Sequence, residues 1–182
     1  MINSKIYSSS NGRSGEIGHI TVVPDGALCS CGKRGCLEEY ATKAGIINRF
    51  MEAIDNGEAT AVDVDDAFRL NYETIREYAH KGDSLCLRLF KNAGRLLGQT
   101  CASLSSIFDP DAIILFGELA NDRPFYQDIM EQAFCESIYP GATTKLVYSN
   151  LGASAVALGA AFFALDNILY SFLTQKAEVS KS

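Results

Sequence analysis

Apolar residues recur at two different spacings along this chain, and the change of spacing divides it. Leu37, Tyr40, Ala41, Ala44, Ile47, Phe50, Met51 and Ile54 repeat every three or four positions, which predicts a helix over 37–54 that ends at Asn56-Gly57. Glu38 and Glu39 stand in its first turn, where the helix dipole favours carboxylates. Val64, Phe68, Tyr72, Ile75 and Tyr78 predict a second helix, capped by Asp63 and closed at Gly82. The third and longest runs from an Asp83 cap through Leu85, Leu89, Phe90, Leu96, Leu97, Cys101, Leu104 and Ile107, and Asp109-Pro110 stops it.

Beyond Pro110 the pattern shortens. AIILF at 112–116 is a continuous apolar run between Pro110 and Gly117, the pattern of a strand buried on both faces. Asn121 or Asp122, with Pro124 early, opens a helix to about Ile138. Pro140-Gly141 breaks it, 145–148 reads as another strand, and 153–173 as a final helix rich in Ala and Gly, able to approach a sheet closely. Strand-helix-strand-helix order predicts a parallel βαβ unit covered by helices, hence an α/β fold. The polar stretch 174–182 reads as a disordered tail. Upstream, 1–7 alternates weakly like the tail of a strand, 8–15 reads as a loop, 17–23 as a short strand carrying His19, and Pro24-Asp25-Gly26 as a turn.

A chain of 182 residues with 47% hydrophobic side chains suits one domain with a sizeable core. Sixteen basic against 22 acidic residues, a net charge of −6, argue against binding nucleic acid by phosphate neutralisation. The longest apolar run, 155–165, falls short of the roughly 20 residues that span a bilayer, and no signal peptide is seen. A cytoplasmic protein is expected. Cys86, Cys101 and Cys135 lie within helical patterns and read as small buried hydrophobes. His80 reads as a surface residue in a last helical turn, where the dipole suits it.

The remaining cysteines change the picture. His19, Cys29, Cys31 and Cys36 fall within eighteen residues, so one loop can wrap a zinc ion in a Cys₃His tetrahedron. Gly26, Gly32 and Gly35 stand between the ligands to supply the positive φ values such a wrap needs. A disulfide, or a loop that is merely cysteine-rich, is the alternative; cytosolic chains keep their thiols reduced. With four protein ligands the zinc is structural, since no position stays open for water.

GEIGH at 15–19 followed by CSCGKRGCLE at 29–38 resembles the signature of the ROK family of repressors, open reading frames and sugar kinases. FDPDAIILFGELA (108–120) and SNLGASAVALGAAFFALD (149–166) resemble the family's closing segments. The resemblance runs from about Asn3 to about Leu173. It implies the C-terminal lobe of an actin-like ATPase (ribonuclease H-like) fold over 1–173, with a zinc and sugar loop at 15–38, a helical region at 37–108 and a βαβα unit at 112–173. Only the C-terminal half of a family member is expected.

The resemblance further implies that Glu16, His19 and Glu38 meet a sugar. Carboxylates accept charge-assisted hydrogen bonds from hydroxyls, and His19 can hold the metal through one ring nitrogen and a sugar oxygen through the other. Read without the resemblance, Glu38 is helix-dipole compensation and Glu16 a solvated turn residue. The family's phosphate loops (DxGGT-like near the N-terminus) and its aspartate base (GNDAN-like) are not in this chain, so no catalytic residue is assigned and ATP is relevant only if the parent is a kinase.

Three functions follow as expectations. The first is the sugar-sensing and oligomerising part of a transcriptional regulator, similar to the family's N-acetylglucosamine and xylose regulators, with DNA contacted only through an upstream domain and the chain a homodimer or tetramer. The second is one lobe of an ATP-dependent kinase for a hexose or N-acetylhexosamine, inactive alone. The third is a zinc-stapled oligomerisation lobe without a ligand. Kinases of the family carry GGG or GGV after the buried strand, whereas Phe116-Gly117-Glu118-Leu119 stands here, and this favours the regulator.

Overall fold

The computed structural model describes residues 1, 6–7, 9–63, 70–117, 122–152 and 154–179. The expected strand tail at 1–7 lies largely outside them.

The organising element is the helix α4 (Ser84–Phe108), capped by Asp83, whose carboxylate accepts the backbone N–H of Cys86. It ends where Asp109 turns left-handed at φ 42°. The half nearer its N-terminus packs against α2 (Lys43–Asp55) and α3 (Tyr72–His80) around Phe50, Ile75, Leu85 and Phe90, all nearly inaccessible to solvent. Its C-terminal half packs against α5 (Arg123–Ser137) and the inner face of the sheet, with Cys101, Met130 and Phe134 between them. Gly94 and Gly98 let α4 and α5 touch. A Cβ on Gly98 would stand 2.3 Å from the Met130 carbonyl oxygen, and one on Gly94 would stand 2.7 Å from Tyr126 Cβ. Side chains on α4 would hold the two backbones apart; these two glycines remove them.

The predicted βαβ unit is present. Strands β1 (Ala112–Leu115) and β2 (Lys145–Tyr148) pair in parallel, Ile113 opposite Leu146, with α5 as the crossover. Ser105 on α4 shares a 2.7 Å hydrogen bond with Thr144, whose hydroxyl donates to the Pro110 carbonyl, so the two strand starts are tied to the spine. Burial of β1 on both faces is not observed: Ile114 is 63% and Val147 42% exposed. Helices α4 and α5 cover one side of the ribbon, and among the described residues no layer covers the other.

Other expectations shift. The helix predicted over 37–54 is two helices, α1 (Glu38–Ala41) and α2, because Thr42 is extended and its hydroxyl accepts the Gly45 N–H while donating to the Glu38 carbonyl. The helix that holds Tyr72 and Ile75 is capped by Asn71, not Asp63: the Asn71 side chain accepts the Thr74 N–H at 3.0 Å. Positions 64–69 of the predicted helix lie outside the described residues. Cys135 is exposed, unlike Cys86 and Cys101, since it falls on the outward side of α5. Helix α6 (Ser154–Val179) continues past residue 174 because its polar end carries good helix formers such as Gln175, Lys176 and Glu178. The close approach expected of its small residues is not seen among the described side chains: Val156 and Phe162 are exposed, and a Cβ on Gly159 would meet nothing within 4 Å. A helix apolar on every side has no single stripe to direct its packing.

Asp83 serves more than its own helix, since Thr60 and the Ala61 N–H also donate to its carboxylate. Burial works against its ionisation, but the backbone N–H groups of Cys86 and Ala61 and the Thr60 hydroxyl prevail and hold its pKa below the ordinary aspartate range. A depressed folded-state pKa means that the unfolded chain takes the proton more readily, so this stability is complete at neutral pH and drains as pH falls through the folded value. In urea titrations, Asp83→Asn should be less stable than wild type at pH 7, with the gap closing below about pH 4. A gap independent of pH would assign the effect to shape alone.

Candidate functional site

Residues 17–37 fold into a loop held by its own backbone. Contrary to the predicted strand over 17–23, Ile17–His19 form a single 3-10 turn and only Thr21 makes a strand-like bridge, to Cys36. The turn is dictated from downstream: the N–H groups of Val22 and Val23 donate to the Gly35 carbonyl, and that of Leu37 to Ile20, so the chain must bend before residue 20 to meet them. Asp25 takes the left-handed turn position at φ 58°, while Gly26 is needed for space, as a Cβ there would lie 2.2 Å from the Tyr40 hydroxyl. Tyr40 accepts the Ala27 N–H at 2.9 Å and so fastens α1 to the loop. Gly32 and Gly35 have the expected positive φ, 87° and 72°.

Wrapped this way, His19, Cys29, Cys31 and Cys36 bring one donor atom each within 4.8 Å of one another. His19 Nδ1 lies 3.6 Å from Cys29 Sγ, and Cys31 Sγ 3.6 Å from Cys36 Sγ. Tetrahedral zinc with ordinary bond lengths would set N···S at about 3.6 Å and S···S at about 3.8 Å. The four predicted metal ligands therefore converge, and their spacing and chemistry fit that ion. Cys29 and Cys36 are buried and Cys31 is exposed. Lys33 Nζ donates to the His19 carbonyl at 2.6 Å, which anchors the turn over the cluster.

Glu38, on α1, lies against the same cluster. Its Oε1 is 2.9 Å from Cys29 Sγ and 3.3 Å from His19 Nδ1. The carboxylate of Glu38 pushes the Cys29 thiol up to about 12, opposed by the Cys31 backbone N–H. Burial raises Cys36, whereas the Lys33 backbone N–H and the hydrogen bond with Cys29 lower Cys31. The proton Cys29 shares with Glu38 is the one a metal would displace. Glu16, the third predicted sugar residue, is exposed at the cap of the 3-10 turn, where its carbonyl accepts the His19 N–H at 3.2 Å. The structure thus joins His19 and Glu38 and leaves Glu16 at the rim. The nearness of Glu38 to the thiols was not read from the sequence; its place two residues after a ligand was the signal available.

A second hollow, about 630 Å³ in volume, opens at the C-terminal end of β2 and the start of α5, lined by Arg123, Gln127, Asp128, Ser149 and Asn150. Ligands of open α/β sheets bind at such strand ends.

Fold and loop together define a class, and sequence comparison agrees with it. The sequence profile of the ROK family matches residues 1–167, and the chain belongs to that family. It is 40% identical over 117 residues to the DNA-binding transcriptional dual regulator NagC of Escherichia coli, an alignment covering 64% of this chain and 28% of that protein. To the xylose repressor of Bacillus subtilis it is 30% identical over 171 residues, 93% of this chain and 41% of the repressor. The crystal structure of a ROK family glucokinase from Streptomyces griseus, in complex with glucose and AMPPNP, superposes with a TM-score of 0.68 and 31% identity, covering 84% of this chain and 51% of the glucokinase. The fold is that of the matching lobe of ROK actin-like kinases and regulators. The chain spans about half or less of each of these relatives. Among the described residues no helix is long and apolar enough to cross a membrane.

Proposed function

We propose that this chain is the sugar-sensing and oligomerising part of a cytoplasmic, ROK-family regulator of sugar metabolism similar to NagC, with a structural zinc held by His19, Cys29, Cys31 and Cys36. The observation that carries the reading is the double placement of His19. Its Nδ1 faces the thiols and Glu38, which leaves the other ring nitrogen for a ligand. Zinc supplies rigidity here: by engaging Nδ1 it fixes the tautomer and orientation of the imidazole. Once Cys29 has given up its proton, the Glu38 carboxylate has lost that donor and is available to sugar hydroxyls. Glu16, at the start of the same turn, completes the set. The ligand is a small sugar or amino sugar; DNA is contacted through a segment outside this chain, and the regulator works as a homodimer or tetramer. No side chain here is assigned to catalysis.

Identity to NagC and the xylose repressor supports the regulator, as does the sequence after the strand, where Glu118 and Leu119 stand in place of the small residues expected of the family's kinases. The kinase reading has support too, from the likeness to the Streptomyces griseus glucokinase and from the hollow at the end of β2, where a nucleotide would have its place.

Glu38→Gln tests the sugar reading. Replacing an accepting carboxylate by an amide leaves sugar hydroxyls mismatched, at a cost of about 2 kcal/mol or more. Calorimetric titration of N-acetylglucosamine, glucose and xylose, on this chain and on its full-length parent, should show at least about tenfold weaker binding of the preferred sugar by the variant. Equal binding by both proteins would move the sugar site elsewhere.

A further inference from the structure

Two of the four donors stand at a spacing that suits the metal and also lies within reach of a second chemistry. Cys31 Sγ and Cys36 Sγ are 3.6 Å apart, one exposed and the other buried. The loop brings them together through turns at both ends of the segment between them: Gly32 N–H donates to the Cys29 carbonyl and Cys29 N–H to that of Lys33, while Cys36 bridges Thr21. A disulfide needs S–S near 2.05 Å, so closure asks for an approach of about 1.5 Å. Cys31, at the surface, has the room to make it. Cys29 is less suited to either partner. Its sulfur is engaged by Glu38 at 2.9 Å, and a bond to Cys31 would close a small strained ring across the single residue Ser30.

We propose that Cys31 and Cys36 form an oxidation site, in which a hydroperoxide converts the pair into a disulfide and removes two of the four metal donors. The inference rests on the metal reading above. In the first step the Cys31 thiolate attacks the peroxide; the O–O bond breaks, one oxygen stays on sulfur as a sulfenic acid and the other leaves as hydroxide or alkoxide. In the second, the Cys36 sulfur attacks that sulfenic sulfur, the S–S bond forms, and the oxygen departs as water after taking up a proton. Two sulfurs give up two electrons in all, and the peroxide accepts both. His19 and Cys29 alone do not retain zinc, so the ion leaves and the imidazole loses its fixed orientation. Sugar binding is lost with it, and a dithiol reductant plus zinc restores both.

Cys86 and Cys101 are buried, and Cys135 is exposed, so the test uses a Cys135→Ser background free of that bystander. Zinc content is measured first. The loaded protein then receives stoichiometric hydrogen peroxide, with a chromogenic chelator reporting zinc, thiol titration counting cysteines, and peptide mass spectrometry locating the cross-link. Expected are release of about one equivalent of zinc, loss of two thiols, a peptide pair joined at Cys31 and Cys36, and full reversal by dithiol and zinc. Cys31→Ser in the same background should form no cross-link within the loop. A cross-link that includes Cys29, or thiols lost as sulfinic acid without any cross-link, overturns the proposal, as does zinc retained with every thiol intact. A protein purified without zinc that still forms the Cys31 to Cys36 cross-link upholds the oxidation site and refutes the metal reading.

Discussion

Stripping the metal with a chelator under reducing conditions is expected to melt the loop over 20–37 while the helical body stays folded. The loop's apolar contact with the body is confined to Leu37, Val22, Val23 and Ala27 against Tyr40 and Leu96, while Ile20 is 40% and Leu28 63% exposed. Its backbone bonds, from Ile20, Val22, Val23, Gly26, Cys29, Gly32, Gly35 and Leu37, leave more than half of its N–H groups without a backbone partner. Ordering each residue costs roughly 1–2 kcal/mol of conformational entropy, and structural zinc in comparable small sites contributes an apparent ~10 kcal/mol or more. The body has its own core around Phe50, Phe90 and Ile75 and does not depend on the ion. Hydrogen exchange resolves the two. Amides of Val22, Cys29, Gly35 and Leu37 should lose protection by orders of magnitude on metal removal, while amides in the middle of α4 change little. Loop amides that stay protected in demonstrably zinc-free protein would show that the backbone ladder suffices and that the metal is dispensable.

Gly35→Ala should be the most damaging small substitution in the loop. A Cβ at this position would lie 1.6 Å from the Val23 carbonyl oxygen and 2.6 Å from its carbon, with φ at +72°. Both clashing atoms are backbone, so no side chain can swing aside, and the Val22 and Val23 hydrogen bonds to Gly35 have to break. Gly32 is the internal control. Its φ is +87°, yet a Cβ there would meet nothing within 4 Å, so alanine costs only left-handed strain, about 1–2 kcal/mol. We expect Gly35→Ala to cost at least about 3 kcal/mol and to weaken zinc binding by at least about 100-fold, and Gly32→Ala to weaken it by about 30-fold or less. Competition against a zinc-binding dye measures both. Equal affinities for the two variants would mean that the close approach of residues 23 and 35 is not what holds the ligands together.

These two glycines show where sequence reading stops. That the loop needs glycine is legible from ligands crowded within eighteen residues; that one glycine tolerates a methyl group and the other does not depends on where residue 23 passes.

The donor set, the Asp83 cap and the end of α4 at Asp109-Pro110 were determined by the sequence itself, because each rests on residue chemistry or on near neighbours, and the parallel β1–α5–β2 unit followed from the order of its elements and the handedness of such crossovers. Tertiary structure decided the rest. The segment 17–23 has the composition of a strand, but hydrogen bonds from residues 35–37 turn its first three residues into a 3-10 bend. Apolar spacing runs unbroken through Thr42, and the helix nevertheless breaks there, since Gly45 must lie close against Glu38 and Glu39 for α1 to reach the loop. That break puts Glu38 beside Cys29 and His19, and the contact of α4 with α5 at Gly94 and Gly98 likewise appears only when the helices are placed. Periodicity reports which side of an element is apolar, but it carries no information on which distant backbone will come within 3 Å of it.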